Sequence, residues 1–132
     1  MGTRSRIGLQ LEGQIISVYH HWDGYPEWLG VTLQRKFDTY DLVAELLDGG
    51  DVSCIDSDTD WDLNKVENHV QYYNDRGEKT EPRLDTCVED YLDNGEEFAY
   101  LFENNECVCN KTPYKGEPYV VNIPDKEVVN VS

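Results

Sequence analysis

The densest group of side chains suited to ligand chemistry lies in residues 19–28, Tyr-His-His-Trp-Asp-Gly-Tyr-Pro-Glu-Trp. An indole or phenol ring stacks on a flat base, and a guanidinium or imidazole group meets a phosphate. A carboxylate accepts a hydrogen bond from a ribose hydroxyl or an exocyclic amine. We therefore predict an aromatic-lined pocket for a nucleotide-like ligand, formed by Arg4, His21, Trp22, Asp23 and Tyr25.

The same segment also fits a purely structural role. Aromatic side chains near a junction of strand and helix often pack in a core, and Asp23 would then only cap the turn. Because side chains alternate along a strand, His20 and His21 must face opposite sides of the sheet. Only one of the two imidazoles can therefore face a given pocket.

A hairpin and a helix should position this segment. Residues 5–11 alternate, with Ile7, Leu9 and Leu11 on one side, and residues 14–21 are rich in β-branched side chains. Glu12-Gly13 is a turn signal between them. Pro26 suits the first turn of a helix, and a four-residue spacing of Leu29, Leu33 and Phe37 predicts that helix over about 27–37.

The rest of the chain adds helices and further strands. Asp38 or Thr39 can cap a second helix that ends at Gly49-Gly50, and Asp85 or Thr86 can cap a third that runs through Leu92. Strands are predicted at 52–55, 96–102, 106–110 and 119–123. We expect one domain over residues 1–132, with about 124–132 as a loose tail. The fold class is α+β, a mostly antiparallel sheet with an N-terminal hairpin and two or three helices packed on one face.

Acidity is the strongest feature of the composition, with a formal net charge of −16. A charge of this sign disfavours direct binding to nucleic acid or to an anionic membrane. Residues 38–67 carry ten carboxylates against one lysine, so a second hypothesis is an acidic protein–protein inhibitor, or a nucleic-acid mimic, that binds a basic protein. Solubility alone also explains the charge. No apolar run reaches the ~20 residues that span a bilayer.

Two segments contain metal-ligand side chains. Asp56, Asp58, Asp60 and Glu67 match positions 1, 3, 5 and 12 of a calcium loop, but Trp61 occupies the position that needs glycine. An ordinary solvated acidic loop is the alternative. Cys107 and Cys109 would lie on one side of a strand and supply half of a zinc site. No apolar leader precedes the cysteines, so we expect reduced thiols in a cytosolic setting.

The opening Met-Gly-Thr-Arg-Ser-Arg-Ile, with His-Trp-Asp-Gly-Tyr at residues 21–25 and a glycine at residue 30, resembles a group of small uncharacterised bacteriophage proteins. The likeness covers about the first third of the chain and thins out near residue 50. It implies that Thr3, Arg4 and Ser5 lie beside His21-Trp22-Asp23, which adds Ser5 to the candidate ligand residues. It also implies a phage origin and the host cytoplasm.

Small phage proteins often serve host takeover or evasion of host defences, and this analogy predicts an accessory protein that inhibits or sequesters a host component. Its partner would be a nucleotide-like small molecule or a basic host protein. The sequence contains no nucleophile elbow, no phosphate-binding Gly-Lys-Ser loop and no zinc-protease helix. A His21–Asp23 acid/base pair keeps a small phosphodiester or glycosidic hydrolase as a further alternative.

Overall fold

The structure is a computed structural model that describes residues 3–22, 24–37, 39–55, 70–74, 77–93, 96–103, 106–112 and 117–123. The predicted calcium loop, Asp23 and the predicted tail lie outside the described residues. None of the described helices is long and apolar enough to cross a bilayer.

Strands and short helices follow one another in the order that the sequence predicts, with two short strands added. The strands are β1 (Ser5–Leu11), β2 (Gln14–His20), β3 (Val52–Ile55), β4 (Val70–Tyr72), β5 (Arg83–Asp85), β6 (Phe98–Glu103), β7 (Glu106–Lys111) and β8 (Tyr119–Val121). A π-helical turn (Pro26–Gly30) leads directly into α1 (Val31–Lys36), and α2 (Tyr40–Asp48) and α3 (Val88–Leu92) are the other helices.

In the described part of the chain, eight strands join one sheet in the order β4-β3-β2-β1-β6-β7-β8, with β5 beside β2. The predicted α+β class and N-terminal hairpin are confirmed, since β1 and β2 pair antiparallel with Ser5 opposite His20. The sheet is mixed, however, because β1 pairs parallel with β6 and β2 pairs parallel with β3. The chain leaves the hairpin through helices and returns to both of its edges, and such crossovers bring strands back in the same direction.

The two faces of the sheet bear different helices. Ile7, Leu9 and Val18 point to one side, where they share the main core with Leu33 of α1 and Leu46 of α2. We call this side the helical face.

The other side receives α3, because Tyr91 packs there with Ile15, Ala99 and Leu101 in a second cluster. We call this side the α3 face. The prediction that helices pack on one face thus holds for α1 and α2, whereas α3 crosses to the opposite face.

Gly8 allows that second cluster to form. A Cβ atom at Gly8 would lie 2.8 Å from Cζ and Oη of Tyr91, closer than real contacts permit. Tyr91 is completely buried, and its hydroxyl donates a 2.5 Å hydrogen bond to the carbonyl oxygen of Tyr100. The ring thus fills the space that a side chain on β1 would otherwise need.

Candidate functional site

The end of β2 is held by backbone hydrogen bonds that extend past the last strand residue. The N–H of His21 donates to Val52 O at 3.1 Å and the N–H of Trp22 donates to Ser53 O at 3.0 Å. Both acceptors lie on β3, so backbone hydrogen bonds hold His21 and Trp22 against β3 although the regular strand ends at His20. The aromatic segment therefore begins on a rigid support.

Tyr19, His21 and Trp22 form a continuous aromatic row on this support. Tyr19 and His21 are two residues apart, which places both on the α3 face, and Tyr19 Oη lies 2.6 Å from His21 Nδ1. The His21 and Trp22 rings meet edge to face, with centroids 4.7 Å apart and planes at 88°. Trp22 keeps 44% of its surface exposed, so an indole is available to a ligand beside a fixed imidazole.

Charged groups surround this row. Arg4 is exposed, and within the described part of the chain no ion pair or hydrogen bond of its guanidinium is found. The pKa of Glu96 is raised by partial burial and is drawn back by the positive charges of Arg4, Arg6 and His21. One carboxylate thus lies within electrostatic reach of all three cationic or imidazole side chains.

The backbone of Tyr19 is also held by a hydrogen bond to Asp51. Its N–H donates to Asp51 Oδ1 at 2.9 Å, and the N–H of Asp51 donates to Thr80 Oγ1 at 2.9 Å. Burial, and then the negative charge of Glu96, raises the pKa of Tyr19. The phenol therefore keeps its proton at neutral pH.

Arg6 lies deeper on the same face. Its Nε donates to Ser17 Oγ at 3.1 Å and its Nη2 donates to Ser17 O at 3.3 Å. Burial lowers the pKa of this guanidinium, while Tyr91, Asp51 and Glu96 raise it. Arg6 therefore supports the site, whereas Arg4 faces solvent.

We call this arrangement the Tyr19–His21 site. It consists of Arg4, Arg6, Tyr19, His21, Trp22, Asp51 and Glu96. Of the predicted ligand residues, the site contains His21 and Trp22, whose rings are in contact, and Arg4, whose charge acts on Tyr19 and Glu96. Tyr19, Asp51 and Glu96 were not among the predicted ligand residues, although the period-two rule places Tyr19 beside His21 on the same face.

Ser5 and Tyr25 lie elsewhere, on the helical face. Ser5 is fully buried, with its Oγ 3.4 Å from Nδ1 of the buried His20. Tyr25 is partly buried and packs against the main core. Residues 5 and 20 lie opposite one another on β1 and β2, so the side chains of Ser5 and His20 share one face and His21 lies on the other. The expected pocket that includes Ser5 and Tyr25 therefore does not form.

Gly24 joins the segment to the N-terminal strand. Its N–H donates to Thr3 O at 2.8 Å, and its carbonyl oxygen accepts a 2.7 Å hydrogen bond from Tyr100 Oη. A Cβ atom at this position would come within 2.5 Å of Ser5 Oγ. Thr3 and Ser5 thus both lie against Gly24.

Metal-binding residues are not assembled in the part of the chain that is described. No group of three His, Cys, Asp or Glu side chains there could hold an ion, while Asp56, Asp58, Asp60 and Glu67 fall outside it. Burial raises the pKa values of Cys107 and Cys109 to about 12. Without a metal ion, both therefore remain protonated at neutral pH.

No family model, curated protein or solved structure matches the chain.

Proposed function

We propose that the protein binds a flat, anionic, nucleotide-like ligand at the Tyr19–His21 site, as a phage accessory protein that sequesters or inhibits a host component. The observation that carries the proposal is the exposed Trp22 indole, which packs against His21 at 4.7 Å; Arg4 is also exposed, and its charge and that of His21 both act on Glu96. An indole supplies stacking energy that accepts any base, the Arg4 guanidinium supplies positive charge, and the His21 ring supplies nitrogen atoms for hydrogen bonds.

The layout suggests how such a ligand would lie. Its ring system would stack on Trp22, and its phosphate would meet Arg4 and His21, because a guanidinium binds phosphate oxygens through paired donors. Glu96 lies within reach of the same basic side chains. Its carboxylate can accept a hydrogen bond from a ribose hydroxyl, the role that the sequence assigns to Asp23. In a chain of net charge −16, these local cations offset an otherwise repulsive field.

A thermal-shift screen of nucleotides against matched variants tests the proposal. A ligand at 100 times its Kd stabilises the fold by about 2.7 kcal/mol, which is a readily measured rise in Tm. The rise should disappear in Trp22→Ala and shrink in Arg4→Gln. Tyr119→Ala is the control, because Tyr119 is similarly exposed, at 49%, but lies on β8 at the far edge of the sheet.

Two results would overturn this proposal. The first is a wild-type protein that shows no shift with any nucleotide. The second is a shift that Trp22→Ala leaves intact, since a ligand that ignores the indole is not held at this site.

One observation favours the acidic-inhibitor alternative. Asp41, Glu45 and Asp48 are all exposed on α2, at spacings of four and three residues that align them along one side of the helix. A basic partner bound there would dissociate steeply with added salt and compete with DNA. Asp41→Asn with Glu45→Gln should weaken such a complex, while Trp22→Ala should leave it unchanged. Binding that ignores both salt and DNA would exclude the alternative.

A further inference from the structure

The Tyr19–His21 contact determines what the imidazole can do. At 2.6 Å between Oη and Nδ1, one hydrogen is shared by a phenol and an imidazole nitrogen. A phenol hydroxyl is the stronger acid of the two groups, and an sp² imidazole nitrogen is the stronger acceptor. Tyr19 retains its proton at neutral pH because the ordinary pKa of a phenol is about 10, and burial raises it further. The favoured sense is therefore donation from Tyr19 Oη to Nδ1.

If Tyr19 donates to Nδ1, the one ring hydrogen of neutral His21 must be on Nε2. In the imidazolium form both nitrogens carry hydrogen, so Nε2 is a donor in either protonation state. Nδ1 accepts from Tyr19, and within the described residues Nε2 has no partner and is not among the buried unpaired atoms. The buried, unpaired Nε2 belongs to His20 instead, on the helical face. The donor of His21 therefore remains available at the surface that Arg4 shares.

We infer that Tyr19 is a positioning residue, which holds Nε2–H of His21 toward an anionic oxygen of the ligand, so that the site binds an oxyanion and does not activate water. The inference rests on the proposed function and narrows it to ligands that carry a phosphate or carboxylate group. It also opposes the hydrolase alternative, because a general base needs an unprotonated nitrogen directed at its substrate.

The first test is the ring tautomer of His21 in the free protein, read from ¹⁵N chemical shifts at neutral pH. We expect Nε2 to be protonated and Nδ1 to be the bare nitrogen. In Tyr19→Phe the preference should relax toward a mixture of tautomers. A hydrogen found on Nδ1 in the neutral ring of the wild-type protein would overturn the inference, whatever ligand is later identified.

The second test uses inorganic phosphate, which has no ring to stack. Phosphate should move the His21 Nε2 resonance, and its affinity should fall about tenfold in His21→Ala and severalfold in Tyr19→Phe. Tyr73→Phe is the matched control, because it removes the hydroxyl of another partly buried tyrosine.

The outcomes separate this inference from the proposed function. If phosphate binding depends on His21, the oxyanion donor is supported. If Trp22→Ala at the same time leaves nucleotide affinity unchanged, the stacking site is refuted. If phosphate leaves the His21 resonances unmoved, or if Tyr19→Phe binds it as well as the wild type, the positioning role is wrong.

Discussion

His20 should make the stability of the protein fall as the solution becomes acidic. Its ring is 1% exposed, and its Nε2 has no partner among the described residues. Burial, with a smaller effect of the neighbouring His21 charge, lowers the pKa of His20 from 6.5 to about 3. Between these two values the unfolded chain holds a proton that the folded chain does not. Lowering the pH therefore stabilises the unfolded state.

The size of this effect follows from the shift. The free energy of unfolding should fall by up to roughly 1.4 kcal/mol per pH unit below about pH 6.5, which amounts to ~2 kcal/mol by about pH 5. Above that range His20 contributes no dependence on pH. His20→Asn removes the titrating ring and keeps a polar atom for Ser5. Its smaller side chain lowers stability by an amount that does not vary with pH.

Urea unfolding, followed by tryptophan fluorescence at several pH values, provides the measurement. The chain's many carboxylates titrate in both proteins, so their effect cancels when the two are subtracted. The advantage of the wild type over His20→Asn should shrink by ~2 kcal/mol between about pH 7.5 and pH 5. Parallel curves would refute the reasoning, as would a His20 ring that titrates near its ordinary pKa by NMR.

Three further changes test the packing. Gly8→Ala brings a methyl group within 2.8 Å of Tyr91 Oη and should lower the free energy of unfolding in urea by about 1–3 kcal/mol. Adding Tyr91→Phe should recover part of that loss, and strictly additive losses in the double variant would contradict the prediction. Gly24→Ala, which crowds Ser5 Oγ at 2.5 Å, should lower Tm by roughly 3–8 °C, and an unchanged Tm would show that the junction is loose. Cys109 is buried, with its pKa raised to about 12, so thiol labelling mapped by mass spectrometry should modify it only as the protein unfolds; fast labelling of the native protein would show that it is accessible.

The N-terminal hairpin is predictable from sequence because its signals are local. Ile7 and Leu9 alternate with polar neighbours, and Gly13 adopts the positive φ of 78° that the turn requires. The second helix is predictable for the same reason, since Thr39 accepts a hydrogen bond from the N–H of Leu42. Each of these signals depends on residues only a few positions apart.

The first helix shows where spacing is ambiguous. Leu29, Leu33 and Phe37 recur at four residues, which predicts an α-helix, yet the segment begins as a π-helical turn at Pro26–Gly30. A four-residue interval lies between the 3.6 residues of an α-turn and the wider π-turn. The pattern therefore predicts which side of the helix is apolar, but it does not distinguish an α-helix from a π-helical turn.

The site itself depends on long-range pairing that no local pattern reveals. Glu96 reaches His21 only because β6 pairs parallel with β1, with Phe98 opposite Ser5. Asp51 reaches the N–H of Tyr19 because β3 lies beside β2. Sequence could identify His21, Trp22 and Arg4 by chemical type, and the alternation rule separates His20 from His21. The same rule places Ser5 on the side of Ile7 and Leu9 and Arg4 on the other side, but it does not show which distant residues lie near each of them.

The most direct test of the binding site is a titration of ¹⁵N-labelled protein with a nucleoside monophosphate, followed by NMR. We expect the Trp22 indole N–H and the His21 ring nitrogens to shift together and saturate at one concentration, while the amide of Tyr119 stays fixed. Shifts confined to the exposed acidic side of α2, or no shifts at Trp22 and His21, would contradict the account.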